Sequence, residues 1–230
     1  MISIIIPCYN EEFSLKKILT KINSIKNLNK EIILVDDGSN VNTKKIINSC
    51  LQEKLIDKLI TLEKNKGKGF ALKNGINKAN GEIILFQDAD LEYDPDDYEK
   101  LVQPIVKNKA DVVYGSRFIG NENGQRILYF WHRVANFILT LLTNILTNIN
   151  FTDMETGYKV FKSEVIKKIE IKEKSFGVEP EITLKLAKLK VRFYEVGISY
   201  NGRTYAEGKK IMLKDFFIAI YCIIKYKFIN

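Results

Sequence analysis

Five apolar runs of four or five residues recur along the first half of the chain: Ile2 to Ile6, Glu31 to Val35, Leu59 to Leu62, Glu82 to Phe86 and Asp111 to Tyr114. Between them, Leu15 to Ile25, Thr43 to Leu51, Phe70 to Asn80 and Asp97 to Lys107 read as helices. Strand and helix in alternation predict an α/β fold with a mostly parallel central sheet flanked by helices on both faces. Asp94-Pro95-Asp96-Asp97 has the marks of a helix start, with an N-cap candidate, proline in the first turn and early acids.

After Gly115 the pattern changes. A loop with Gly120 and Gly124 leads into a long apolar-rich helix over Ile127 to Ile149, then a polar segment, Thr152 to Tyr158, and a helix near Glu181 to Lys190. Val191 to Val196 reads as the last strand, Asn201 to Lys210 as a polar loop and Leu213 to Tyr226 as a terminal helix. With no repeat and no low-complexity linker, the 230 residues are expected to form one domain, residues 1–230, in two halves, 1–120 and 121–230.

The net charge of +8 is uneven, since residues 121 to 230 carry 18 Lys and Arg against 11 Asp and Glu. Such an excess suits a phosphate-bearing substrate, nucleic acid or an anionic membrane surface, and charge alone does not choose among them. Cys8, Cys50 and Cys222 are far apart and odd in number, which fits a reducing compartment. Met1 runs straight into the first strand, so a leader is not expected, and no run approaches the roughly 18 to 20 apolar residues that span a bilayer. A cytoplasmic location is expected.

The run Glu82 to Asp90 carries the most chemistry, because it ends in Asp88 and Asp90, one residue apart. In open α/β sheets the ligand crevice lies beyond the carboxyl ends of the strands. Two carboxylates converging there suit Mg²⁺ or Mn²⁺, whose other positions go to water and substrate phosphates. A turn or helix cap would use the same residues. The first and second strands end in Pro7-Cys8-Tyr9-Asn10-Glu11-Glu12 and Val35-Asp36-Asp37-Gly38-Ser39. Their carboxylates can accept from ribose hydroxyls or base N–H groups, or cap the helices that follow.

Asn65-Lys66-Gly67-Lys68-Gly69 lacks the spacing of a Walker A loop, and reads as a turn with Lys66 or Lys68 near the ligand. No Gly-x-Gly-x-x-Gly follows the first strand, which disfavours a dinucleotide oxidoreductase. Arg117, after the fifth strand, can hold phosphate oxygens or form an ordinary ion pair. Tyr200 to Lys210 interleaves tyrosines, two glycines, an arginine and a lysine pair, as a cationic loop closing over phosphates would. Asp153 is a candidate general base or acceptor-positioning group, and His132, the only histidine, is structural or acceptor-facing.

With Pro7-x-Tyr9-Asn10-Glu11, Val35-Asp36-Asp37-Gly38-Ser39, Asp88-Ala89-Asp90, Gly115-Ser116-Arg117 and Arg203 to Lys209 in this order, the chain resembles glycosyltransferase family 2. The likeness runs from Ile2 to about Lys225 and is to the branch of dolichyl-phosphate mannose synthases and bacterial polyprenyl-phosphate sugar transferases. It implies the GT-A fold, a Rossmann-like nucleotide-diphospho-sugar transferase fold, a UDP- or GDP-sugar donor and inversion at the anomeric carbon. By motif position, Pro7, Tyr9, Glu11, Val35 and Asp37 would hold base and ribose, and Asp88, Ala89 and Asp90 the donor. Asp90 and Ala89 would lie at a Mg²⁺ or Mn²⁺ ion with Glu92 as a further ligand, and Arg117, Arg203 and Lys209 would contact phosphates. Asp153 matches an acidic position near the acceptor, so Asp153, Asp88 and Arg117 are the expected catalytic set.

The implied acceptor is a polyprenyl phosphate, with a saccharide hydroxyl as the alternative and a non-catalytic nucleotide-sugar-binding subunit as a third possibility. Nucleic acid is not an expected partner. Relatives of this branch often carry membrane-spanning helices after the catalytic part, and the Gln-x-x-Arg-Trp signature of processive synthases is absent, which favours single-sugar transfer. The apolar helices around Phe137 to Ile149 and Phe216 to Phe228 suit a membrane interface, core packing or a contact between copies of the chain.

Overall fold

The computed structural model describes residues 1–230 except 121–125, 127–128, 205–206, 208–212 and 230. Seven strands form one sheet: β1 (Ile2–Cys8), β2 (Lys30–Asp36), β3 (Lys58–Thr61), β4 (Ile83–Phe86), β5 (Val112–Ser116), β6 (Lys159–Lys162) and β7 (Phe193–Gly197). Their order is β3-β2-β1-β4-β6-β5-β7. All neighbouring pairs are parallel except the two made by β6, which runs antiparallel to both β4 and β5.

Alternation along the strands splits the core into two layers. Ile4, Ile6, Leu34, Leu85, Val113 and Val160 pack under α1 (Leu15–Ser24), α2 (Val41–Gln52) and α4 (Tyr98–Val106). Ile5, Ile33, Val35, Ile84, Phe86 and Phe161 face α3 (Lys68–Lys78), α6 (Ser163–Ile166) and α7 (Val178–Lys188). Helix α1 buries Leu15, Ile18, Leu19 and Ile22, a stripe at intervals of three and four that fits one face of a helix. A smaller cluster, with Leu139, Leu184, Cys222, Ile223 and Tyr226, joins α5 (Phe130–Thr147), α7 and α8 (Leu213–Phe228) beside the sheet.

The expected strands and helices are present with ends displaced by a few residues, as at α3, which begins at Lys68, and α7, which begins at Val178. Asp94 caps a 3₁₀ turn, Pro95–Asp97, through the Asp96 N–H at 2.9 Å, and α4 starts only at Tyr98. Strand β6 was not expected. Lysines at both its ends leave only Val160 and Phe161 as an apolar signal, too short to mark a central strand. Its direction is what builds the site. Because β6 runs opposite to its neighbours, the segment entering it, residues 152–158, lies at the edge where β1, β2, β4, β5 and β7 end.

Candidate active site

At the end of β2, Asp37 turns inward and accepts from the backbone N–H groups of Lys66 at 2.8 Å and Gly67 at 2.7 Å, so it shapes the loop before α3. Gly38 follows with φ +71°, and a Cβ there would lie 2.5 Å from the Lys64 carbonyl carbon, so the approach of the two loops requires glycine. Val35 is fully buried in the core and Ala89 nearly so, so only their backbones can face a nucleotide, not their side chains. Pro7 lies beside Val35 in the β1–β2 register, and Tyr9, just beyond, is exposed.

Beyond β4 the acids divide. Asp88 turns to Lys68 at 2.8 Å, and Lys68 also meets Glu179 at 3.0 Å. Burial pulls the Lys68 ammonium toward neutrality, but Asp88 and Glu179 more than offset it and raise its pKa well above the usual lysine value. Asp90 instead binds Arg203, Nη2 to Oδ2, at 2.6 Å. Its carboxyl is pushed up to about 7, first by burial and then by the neighbouring charges of Asp88 and Glu92, with Arg203 opposing.

Arg117 leaves the end of β5 and closes on Asp153, which residues 152–158 bring across: Nε to Oδ2 at 2.7 Å, Nη2 to Oδ1 at 2.8 Å and the Arg117 backbone N–H to Oδ2 at 3.0 Å. Asp153 is wholly enclosed. A carboxylate closed in this way orients a guanidinium and has no open oxygen for a substrate proton. Burial works against the Arg117 charge, and Asp153 more than compensates. The Arg117 guanidinium also lies 5.2 Å from the centre of the Tyr200 ring. Two residues on, Glu155 Oε1 is buried without a hydrogen-bond partner among the described residues, and its carboxyl is pushed up to about 7 by burial, against Lys159.

The structure therefore brings Glu11, Asp88, Asp90, Glu92, Arg117, Asp153 and Arg203 to one sheet edge, while Lys209 lies outside the described residues. His132 lies on α5, its ring 5.4 Å from that of Tyr129. Sequence reasoning passed over Glu179, Lys159 and Tyr93, and took Tyr200 only as the start of the cationic loop. Glu179 stands in the first turn of α7, where an acid reads as an ordinary complement to the helix dipole.

No group of three or more His, Cys, Asp or Glu side chains among the described residues forms a cation cage. The residues nevertheless fit a Mg²⁺ or Mn²⁺ ion of the kind held by one or two carboxylates plus substrate phosphates. Asp90 supplies a carboxylate that burial and the neighbouring Asp88 and Glu92 leave short of positive charge even beside Arg203, and Ala89 can contribute only its carbonyl.

Gly157 closes the floor between the two sides. Its N–H donates to Tyr93 Oη at 2.8 Å, and an added Cβ would lie 2.5 Å from Asp88 Oδ2 and 2.9 Å from the Tyr93 ring. Neither can move freely, since Lys68 holds Asp88 and Tyr93 stacks on Tyr158 at 4.6 Å. Gly157→Ala is expected to cost about 1–3 kcal/mol in a urea melt, as overpacking does.

The chain matches the Glycosyl transferase family 2 profile over residues 3–170. It is 31% identical over 233 residues to UDP-N-acetylglucosamine–dolichyl-phosphate N-acetylglucosaminyltransferase of Methanococcus voltae, covering 93% of this chain and 91% of that protein. To dolichol-phosphate mannosyltransferase of Pyrococcus furiosus it is 28% identical over 230 residues, covering 98% of this chain and 64% of that one. The structure superposes with a TM-score of 0.76 on glucosyl-3-phosphoglycerate synthase from Mycobacterium tuberculosis in complex with Mn²⁺, UDP and phosphoglyceric acid. That match covers 100% of this chain and 79% of the other at 18% identity.

Proposed function

Because the chain belongs to glycosyl transferase family 2, we propose that it moves one sugar, with inversion, from a nucleotide-diphosphate donor to a polyprenyl phosphate. The protein is a glycosyltransferase with the GT-A fold. The donor side of the reading rests on the strand ends: Asp88 and Asp90 face the place where β1 and β2 would present base and ribose, and Arg203 lies among the same acids. A divalent ion at Asp90, when bound, supplies charge stabilisation for the departing nucleotide diphosphate. Arg203 binds and orients the same phosphates. Asp88, held by its ion pair with Lys68, orients a donor hydroxyl.

One observation carries the acceptor: both oxygens of Asp153 are bound by Arg117 and the group is enclosed. A saccharide hydroxyl needs a base to take its proton, and Asp153 cannot open to serve. A phosphate is already an anion near neutral pH and needs none. Arg117, oriented by Asp153, is then the group that steers the acceptor phosphate to the anomeric carbon. The names of the two similar proteins support the same acceptor class.

Among the described residues no helix is long and apolar enough to cross a membrane. Helices α5 and α8 pack together through Leu139, Ala219 and Cys222 and leave Phe137, Leu141, Ile145, Phe217, Tyr221 and Ile224 exposed. With Lys225 and Lys227 on α8, this face suits the surface of the bilayer in which a polyprenyl chain is dissolved. The deciding experiment is a transfer screen of UDP- and GDP-sugars with Mn²⁺ and either a short polyprenyl phosphate or simple saccharides. Sugar should appear on the lipid phosphate. Transfer to saccharide hydroxyls with none to the lipid would overturn the acceptor assignment.

A further inference from the structure

Glu92 is expected from motif position to be a metal ligand, yet its carboxylate is already committed. Oε1 accepts from the Arg203 backbone N–H at 2.9 Å and from Nε at 3.1 Å, and Oε2 accepts from the Tyr200 hydroxyl at 3.0 Å. The Glu92 carbonyl takes the Asn201 N–H at 2.8 Å, and Tyr93 bridges to Tyr200. The base of the Arg203 side chain is thus fastened to Glu92. Its tip is not: Nη2 meets Asp90 Oδ2 at 2.6 Å, and Nη1 reaches Glu11 Oε2 only at 3.5 Å.

We propose that Glu92 is a positioning residue that anchors Arg203, and that the tip of Arg203 and the divalent cation are alternative counter-ions for Asp90. The inference rests on the reading of Asp90 as the metal carboxylate. Both oxygens of Asp90 are occupied, Oδ1 by the Glu92 backbone N–H at 3.0 Å and Oδ2 by Arg203, so a cation on Oδ2 would compete with Nη2 for the same oxygen, and two cations crowded there repel. A cation taking Asp90 therefore releases the Nη groups of Arg203. Because Nε and the backbone N–H are held by Glu92, the guanidinium would stay within reach of the diphosphate that a bound ion would hold at Asp90. Arriving phosphates then replace Asp90 as its partner, so the metal and the nucleoside diphosphate are bound in a linked way through one side chain.

The test is direct Mn²⁺ binding to the full chain without nucleotide, read by the EPR signal of free Mn²⁺ at pH 8, followed by UDP binding at saturating Mn²⁺. Asp90→Ala should abolish Mn²⁺ binding; if it does not, the metal reading itself fails, separately from the exchange. Arg203→Met should tighten Mn²⁺ about threefold to tenfold, as expected for removal of a competing adjacent charge. Placing Glu92→Gln in the Arg203→Met background removes one neighbouring negative charge and should weaken Mn²⁺ by no more than about tenfold, and Glu92→Gln alone should weaken UDP binding as Arg203→Met does. Arg203→Lys, which keeps the charge but loses the fork, should give Mn²⁺ affinity between those of the parent and Arg203→Met. Unchanged or weaker Mn²⁺ binding in Arg203→Met overturns the exchange. A Mn²⁺ affinity that falls more than about fiftyfold when Glu92→Gln is added, beyond what one adjacent charge is worth, restores Glu92 as a ligand and overturns the anchor.

Discussion

Replacing Asp90 with alanine is expected to lower turnover about a thousandfold, on the order of 4 kcal/mol of transition-state stabilisation, without lowering the stability of the fold. The two halves of this expectation have separate causes. In the proposed mechanism Asp90 is the carboxylate that brings a divalent charge to the leaving diphosphate, and that charge matters most as the bond to the sugar breaks. For folding, the same group is a burden. Its folded pKa, about 7, is raised above the ordinary carboxylate value by burial first and then by Asp88 and Glu92. A carboxyl whose pKa is raised on folding favours the native state while protonated, and that advantage is lost as pH rises through about 7. At pH 8 its removal relieves repulsion, while Arg203 keeps Glu92. Parallel measurements of kcat at saturating Mn²⁺ and of the urea midpoint at pH 8 check both parts. Turnover within about tenfold of the parent would reduce Asp90 to an ion-pair partner of Arg203.

Much of this site could be read along the chain because it depends on where strands end. The alternation of apolar runs gives a parallel sheet, and a parallel sheet gathers the residues after β1, β2, β4 and β5 at one edge. Hence Glu11, Asp88, Asp90 and Arg117 could be placed together before any coordinates. The partner of each charge could not. Arg117 and Asp153 are 36 residues apart, and they meet only because β6 enters the sheet antiparallel. Glu92 and Arg203 are 111 residues apart and meet where the Tyr93–Tyr200 bridge and the Asn201 N–H to Glu92 carbonyl bond bring their segments together. Motif position also carries no information on which atoms face a ligand: Val35 and Asp37 stand where expected, but one fills the core and the other holds the backbone of Lys66 and Gly67.

The second large effect is expected at Lys159, on the strand that the sequence concealed. Its ammonium is fully buried, pairs with Glu179 at 2.7 Å and donates to the Met154 carbonyl at 3.0 Å and to the Thr156 carbonyl. Glu179 continues to Lys68, and Lys68 to Asp88. A line of charge thus runs from the loop that carries Asp153 to the partly exposed donor-side carboxylate, and Lys159, fully buried, is the member that holds that loop's backbone. Lys159→Met should cost about 3–5 kcal/mol, because Glu179 loses a partner and two carbonyls are left buried without a donor. Adding Glu179→Gln to Lys159→Met should recover at least about 1 kcal/mol, since the amide carries no charge to strand and can still accept from Lys68. Urea denaturation of the parent, both single variants and the double variant closes the cycle. Additive losses would show that the pair is not coupled. Transfer activity should fall in Lys159→Met under conditions where the variant is fully folded, because the carbonyls of residues 154 and 156 no longer fix the approach of Asp153 to Arg117. Full activity in a folded Lys159→Met protein would mean that Arg117 is oriented by Asp153 alone, whatever holds the segment behind it.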